Sequence, residues 1–418
     1  MTNPRPTSHP ARRAPLARLV SPMRAFLTTE NTGAVLLLSG VLVALVWANS
    51  PWSGSYTSLW STEATLGVAG HGITLDLRHW VNDALMAIFF LVVGLEIKRE
   101  VTTGHLATKR AALLPVAAAF SGMLVPAVIY LAVAGRSASH GWAIPMATDI
   151  ALAVGILAVA GSGLPRSTRA FLLGLAIVDD IGAIVIIAAF YSTDLHAIWL
   201  LGALAGLAAT VLLRRIGIRA VWPSVVLGVT LWISLQRAGI HPTIAGVAMG
   251  LLAPAGLPSG DASTPISARR AVPVVEWLQE ILHPWSSFVI VPIFALANSG
   301  IELSAHGLRA AFASAITWGI IAGLVIGKPL GILLVSAFAV RSGRADAPGG
   351  ASRRQMLGVG SAAGIGYTVA LFITDLAFTD AAQRADAQIG ILLASAVSAV
   401  SAYALLSGRR TRARRQVS

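Results

Sequence analysis

Two adjacent carboxylates, Asp179 and Asp180, stand in the middle of an apolar run that extends from about Thr168 to Tyr191. A run of that length and character is a membrane-spanning helix, and one carboxylate at its centre costs at least about 2.5 kcal/mol on insertion scales. Acids in such a place are retained for function rather than packing. Neighbouring residues on a helix point about 100° apart, so the two cannot serve one partner equally. One is expected to look into an ion path and the other toward a different group. The alternative is an acid pair in a loop at a helix end, but the apolar residues continue on both sides of this pair.

Composition carries the argument to the whole chain. It is 56% hydrophobic and only 12% charged over 418 residues, with a mean hydropathy of +0.74, which is outside the range of soluble domains. The expected fold is therefore all-α, polytopic and membrane-embedded. A net charge of +13 would suggest nucleic acid in a soluble protein. Here the basic residues lie between and beyond the apolar segments, where anionic lipid head groups are the expected partner and nucleic acid is not. The absence of cysteine excludes disulfides, thiolate chemistry and Cys-ligated metal.

Residues 1–28 and 409–418 read as basic tails flanking a transporter domain at 29–408. The first apolar segment, about Gly33 to Asn49, starts late and is followed by no A-x-A site, so it is read as a retained helix rather than a signal-peptide core. Further spans are expected near 80–101, 111–134, 141–160, 168–191, 196–213, 221–236, 240–256, 281–300, 310–340, 356–378 and 385–407, making twelve. Of the 31 Lys and Arg, five (Arg78, Arg136, Arg237, Arg309 and Arg384) fall on one side of this alternation, Lys328 lies within a span, and the remaining 25 fall on the other side with both tails. That asymmetry predicts cytoplasmic N- and C-termini. The stretch 57–77 is too polar to insert and partly alternates, with a turn at Ala69-Gly70-His71-Gly72. It is expected to form a two-stranded hairpin outside the membrane, marginal alone and suited to pairing with a second copy, or else an irregular loop.

Other polar features sit at a depth similar to that of Asp179 and Asp180. Asp149 follows Pro145 and Thr148 in the fourth span, Lys328 is central in the tenth, and Gly358, Gly360, Gly364 and Gly366 make the first half of the eleventh a poor helix. Glycine clusters of this kind also serve as close-packing faces, and a lysine near a helix end can snorkel, although Lys328 is too central for that. If spans three to five and ten to twelve are inverted repeats, two broken helices cross at the midplane, where half-helix ends and freed carbonyls build an ion site. A hard monovalent cation needs oxygens and nearby negative charge, which Asp149 and Asp180 supply. Desolvated carboxylates hold protons, and an arriving cation favours their release. Competition of cation and proton for one set of carboxylates is sufficient for antiport.

Seven motifs, in order, carry a resemblance: Gly94-Leu95-Glu96-Ile97-Lys98-Arg99-Glu100, Ala147-Thr148-Asp149-Ile150-Ala151, Val178-Asp179-Asp180-Ile181-Gly182-Ala183-Ile184, His241-Pro242-Thr243-Ile244-Ala245-Gly246, Leu282-His283-Pro284-Trp285, Gly327-Lys328-Pro329-Leu330-Gly331 and Gly364-Ile365-Gly366-Tyr367-Thr368. As a set, spanning about residues 24–407, they closely resemble the bacterial NhaA-type sodium/proton antiporters, a family that is itself one of the cases behind the crossed-helix rule. The resemblance implies an inner-membrane, twelve-helix protein that exports Na⁺ or Li⁺ electrogenically against protons and needs no cofactor. It implies that Asp149, Asp179 and Asp180, with Thr148 nearby, form the ion and proton site, Na⁺ being held at Asp149 and Asp180, and that Asp179 pairs with Lys328. Glu96, Glu100, His241 and His283 match positions connected with pH activation. Glu280 departs from the pattern, standing where a second histidine is expected before His-Pro-Trp.

Simpler readings remain for the pH positions: Glu96 and Glu100 can satisfy Lys98 and Arg99 at a helix end, and a histidine before proline is often a turn residue. An intramembrane aspartyl protease would need Tyr-Asp and Gly-x-Gly-Asp settings, and neither is present. A sodium-coupled solute symporter would differ in requiring an organic solute for flux.

Overall fold

The computed structural model describes residues 31–407 except 69–70, 105, 162–163, 193–194, 217–220, 255–273, 344 and 346–347. The basic tails expected at 1–28 and 409–418 lie outside the described residues, as do Ala69 and Gly70 of the expected turn. The described chain is helical apart from one hairpin: α1 (Asn31–Ala48), α2 (Ser53–Trp60), β1 (Glu63–Val68), β2 (His71–Asp76), α3 (Leu77–Thr102), α4 (Lys109–Ala134), a 3-10 helix (Ser139–Met146), α5 (Ile150–Ala160), α6 (Arg166–Phe190), α7 (Ala197–Arg215), α8 (Val221–Ala238), α9 (Thr243–Leu251), α10 (Val274–Asn298), α11 (Ala305–Ala313), α12 (Ala315–Arg341), α13 (Arg353–Ala363), α14 (Tyr367–Ala377) and α15 (Ala381–Ser407). Short π-helical turns interrupt α3 at Val81–Leu85, α10 at Ser286–Ile290 and α12 at Gly323–Gly327.

Among the described residues, seven helices are long and apolar enough to cross a bilayer, or ten if each of three bent pairs is one span. The expected seventh and eighth spans are present as α8 and α9. Gln236 and Arg237 dilute the apolar character of α8, and α9 is only nine residues long. The helices alternate in direction, which gathers Lys98, Arg110, Arg166, Arg214 and Arg353 at one end of the bundle, the basic end. Arg78, Arg237 and Arg384 lie at the other, with the hairpin.

The hairpin is antiparallel, with Glu63 opposite Asp76 and Val68 opposite His71. Thr65 and Thr74 face each other across it, hydroxyl to hydroxyl at 2.8 Å. It is shorter than the expected 57–77. Residues 57–60 belong to α2, because Tyr56 and Trp60, spaced i,i+4, are both buried by a helix and would separate on a strand. Tyr56 fixes that helix by donating its hydroxyl to the carbonyls of Leu296 and Ala297.

Two sets of glycines bring backbones together. Gly246 and Gly250, four apart on α9, lie against α3, where an added Cβ at Gly246 would collide with the Ala87 carbonyl and one at Gly250 would sit 2.5 Å from that of Leu91. Gly323, Gly327 and Gly331 repeat the spacing on α12, where Cβ atoms on Gly327 and Gly331 would meet Pro126 and Ser121 of α4 at 2.9 and 2.6 Å. Small residues at this interval are how membrane helices pack without a hydrophobic driving force between them. Gly360 belongs to the same class, packed on Pro329 at 2.8 Å, so Gly358 and Gly360 do not break the eleventh span and lie inside the regular helix α13. The break comes only at residues 364–366, where the chain bends by 46°.

Candidate functional site

Two interrupted helices cross inside the bundle. The 3-10 helix Ser139–Met146 and α5 run from the hairpin end to the basic end with a 40° bend between them, whereas α13 and α14 run the opposite way. Pro145 weakens the first at its break, and the backbone of Ala147 is extended. Gly366 permits the second to approach it: a Cβ there would lie 2.8 Å from the Ala147 carbonyl. The freed backbone groups then satisfy one another across the crossing, with the Asp149 N–H donating to the Ile365 carbonyl at 2.6 Å.

Three of the four half-helix ends meet a side chain of matching charge. Asp149 caps α5, its Oδ1 accepting from the Leu152 N–H at 3.1 Å, and its Oδ2 accepts from the N–H and hydroxyl of Thr368 at the start of α14, at 3.1 and 2.8 Å. A carboxylate therefore faces the positive ends of two helices. Lys328, fully buried, donates instead to the Met146 carbonyl, the negative end of the 3-10 helix. Its Nζ also lies 3.0 Å from Asp179 Oδ2. Thr148 joins the two halves, its hydroxyl lying 2.7 Å from Asp179 Oδ2 and 3.0 Å from the Ala363 carbonyl at the end of α13.

The two acids of α6 are thus distinguished. Asp179 turns to Lys328 and Thr148, while Asp180, also buried, interacts electrostatically with Asp179, Glu96, Lys328 and Asp149. The Oδ1 atoms of both acids are buried without a hydrogen-bond partner among the described residues. Three carboxylates and one ammonium share a site with unsatisfied oxygens. Such a donor set suits a proton or a hard monovalent cation.

Thr368 is a partner of Asp149 that the sequence motif alone does not assign; its place as the second residue of the helix that restarts after Gly366 is the available signal. A second buried polar group, of which the sequence singles out only His241, lies at the hairpin end. In it Asn82 donates to Asp375 Oδ2 at 3.1 Å, Asn298 donates to Asn82 Oδ1 at 2.7 Å, and His241 Nε2 approaches Asp83 Oδ1 at 3.4 Å. Asp83 and Asp375 inside expected spans were the visible clue.

The candidate pH positions divide between the two ends. Glu96 and Glu100 lie on α3 toward the basic end, with Glu100 buried and its Oε1 3.8 Å from Arg99 Nη2. His283 and Glu280 are exposed on the first half of α10. His241 is at the hairpin end, its ring edge-on to Phe372 at 4.8 Å and its Nδ1 2.8 Å from the Thr243 hydroxyl.

The family profile described as Na⁺/H⁺ antiporter 1 matches residues 24–406. The Na⁺/H⁺ antiporter NhaA 3 of Frankia alni is 43% identical over 424 residues, covering 96% of this chain and 91% of the relative. The NhaA of an Acidovorax species is 46% identical over 376 residues, with 89% and 88% covered. The NhaA of Shewanella loihica is 45% identical over 389 residues, with 92% and 96% covered.

Proposed function

Because this chain belongs to the Na⁺/H⁺ antiporter 1 family and is a multi-pass membrane transporter rather than an enzyme, we propose that it exports Na⁺ or Li⁺ by competition with protons for Asp149 and Asp180. The observation that carries this reading is the crossing itself, where half-helix ends and opposite charges compensate one another and buried carboxylate oxygens remain unpartnered. When the site is empty of cation, protons neutralise desolvated carboxylates. A cation entering between Asp149 and Asp180 supplies the charge instead and displaces the protons to the side it came from; after the site changes access the cation leaves to the opposite side, where protons replace it. With three acids to one ammonium, more than one proton can be held where one cation is bound, so exchange moves net charge.

The basic end faces the cytoplasm of the inner membrane in this reading, with the hairpin outside, free to pair with a second copy. Glu96 is the first candidate for pH regulation, since it interacts electrostatically with Asp180; Glu100 and His283 near the same end and His241 at the other are further candidates. No cofactor is required, because binding and proton release are one event.

Everted vesicles with an acidic interior test the proposal. Added Na⁺ should dissipate the acidity and choline should not; a response that needs an organic solute would instead make the protein a symporter.

A further inference from the structure

Thr368 binds Asp149 at the crossing, and Asp375 follows it two turns later on the same helix, α14. Seven positions along a helix return to within about 20° of the same face and advance by about 10 Å, so one stripe of α14 joins the crossing to the hairpin end. Leu371, three positions after Thr368 and four before Asp375, lies on that stripe and is 1% exposed. A shift of α14 that follows a change at Asp149 therefore carries Leu371 and Asp375 with it.

At the hairpin end this stripe meets α3 and α10, which make no hydrogen bond to Thr148, Asp149 or Lys328 among the described residues. Asn82 of α3 donates to Asp375 Oδ2 at 3.1 Å. The same amide pairs reciprocally with that of Asn298 on α10, Nδ2 to Oδ1, at 3.3 Å in one direction and 2.7 Å in the other. Arg78, at the start of α3, attracts Asp375 electrostatically across the same junction. Two further bonds cross it: the hydroxyls of Tyr367 and Ser299 lie 2.7 Å apart, and Gln388 of α15 donates to the Asn298 carbonyl at 3.3 Å. Asn82 is 9% exposed, Asn298 4% and Ser299 not at all, so the junction is shut to water in this structure. Polar contacts also act as plain glue between membrane helices. Here, however, Asn82 is aimed by a π-helical turn, a device concentrated at functional positions, and its carboxylate partner rides on one half of an interrupted span.

We propose that Asp375, Asn82 and Asn298 form a gate at the hairpin end of the route through the crossing, opened when α14 draws Asp375 away from the Asn82 amide. Parting it breaks one charge-assisted hydrogen bond, while the two amides stay paired with each other and the carboxylate turns to the entering water. The gate thus has a closed form with every member bonded and an open form that leaves neither amide bare. It rests on the reading of the crossing as an exchange site.

The chain contains no cysteine, so Leu371→Cys places a single thiol on the stripe behind the gate. The full chain carrying it is reconstituted in vesicles of known orientation, and modification by a membrane-impermeant methanethiosulfonate is timed with the reagent on the hairpin side or on the basic side. Adding Asn82→Ala should raise the hairpin-side rate by about tenfold, the effect of losing one hydrogen bond to a carboxylate, and should not raise the basic-side rate. Asp375→Asn keeps the shape and an acceptor oxygen, so it should raise the hairpin-side rate by about threefold and serves if Asn82→Ala fails to insert. Asn49→Ala removes bonds to the Ile301 carbonyl and from the Leu303 N–H at the same end without touching α14, and should leave both rates within about twofold of the parent. Equal acceleration from both sides would reduce the cluster to packing and overturn the gate, as would an unchanged hairpin-side rate in Asp375→Asn or the same acceleration in Asn49→Ala. Labelling requires no ion gradient. An unchanged labelling rate beside a normal Na⁺ response in everted vesicles would therefore overturn the gate alone, whereas no Na⁺ response in the parent would overturn the reading on which it rests.

Discussion

The crossing at the centre of the bundle and the polar cluster at its hairpin end both bury carboxylates, yet they hold them differently. At the crossing, Asp149 and Lys328 are matched to the ends of interrupted helices, backbone to side chain. At the hairpin end, Asp375 and Asp83 are met by side chains, the amide of Asn82 on α3 and the imidazole of His241 in the connection between α8 and α9. The π-helical turn Val81–Leu85, which aims Asn82 and Asp83 inward, is the only irregularity α3 needs there. Backbone dipoles at a break are fixed and cannot rotate away, so on the proposed mechanism a charge placed against them stays available for exchange. Amide and imidazole partners can reorient, so the second cluster is expected to tolerate loss of a charge.

Substitutions that remove one charge from each region should separate them most widely. Asp180→Asn should reduce Na⁺-dependent dissipation of acidity to the level of empty vesicles, since the amide is similar in size but carries neither charge nor exchangeable proton. Asp83→Asn, with the same change at the hairpin end, should retain most of the flux. Equal loss in the two would erase the distinction.

The next largest effect concerns stability at the crossing. Lys328→Ala leaves the buried Asp179 without its counter-charge, and removing one member of a buried pair typically costs about 3–5 kcal/mol. Asp179→Asn with Lys328→Gln should recover part of that loss, giving a double-mutant cycle with nonzero coupling in thermal unfolding. Strict additivity would mean that the 3.0 Å contact carries no energy.

Thr368→Val probes the half-helix contact more gently. It removes the hydroxyl that donates to Asp149 while keeping the N–H, a loss of about 1.5–3 kcal/mol for a bond to a charged group. The apparent Na⁺ affinity should weaken by about tenfold with maximal flux little changed; an unaltered affinity would remove Asp149 from the binding step.

Outside the membrane the effects should be smaller and should leave transport intact. Replacing residues 63–76 by a short flexible linker, and so sparing the buried Tyr56 and Trp60, should shift a dimer toward monomer in detergent without loss of exchange. Inactivity of a correctly inserted monomer would give the hairpin a role in the transport cycle.

Asp76, at the end of that hairpin, caps α3 by accepting from the His79 N–H at 2.7 Å. Partial burial pushes its carboxyl upward, but the His79 N–H and side chain, with the charges of His79 and Arg78, outweigh this and leave it below the ordinary value. A depressed carboxyl contributes stability above its unfolded-state pKa and loses it as pH falls through the folded value. Asp76→Ala should therefore lower stability by about 1 kcal/mol near neutral pH, with the difference from the parent shrinking in acid. A difference independent of pH would assign the effect to the backbone rather than the charge.

The sequence by itself determined the membrane class, the helix positions, the alternation of charge between ends, and the depth of Asp149, Asp179, Asp180 and Lys328, because each follows from hydropathy and from counting along a helix. It also marked where two helices could break, although the residues that do so are Gly364 and Gly366, while Gly358 and Gly360 pack. Only the tertiary structure decided which groups meet. Helical periodicity separates Asp179 from Asp180 by about 100° but leaves the rotation of the helix free, and that rotation gives Lys328 to Asp179. Lys328 in turn is aimed by the backbone approach of α12 to α4 at Gly327 and Gly331, a GxxxG spacing written in the chain whose facing partner, α4, is not. The same holds for Thr368 and Asp149, which lie 219 residues apart: no local rule connects them, and they meet because two bends point each freed N–H and carbonyl at the other helix.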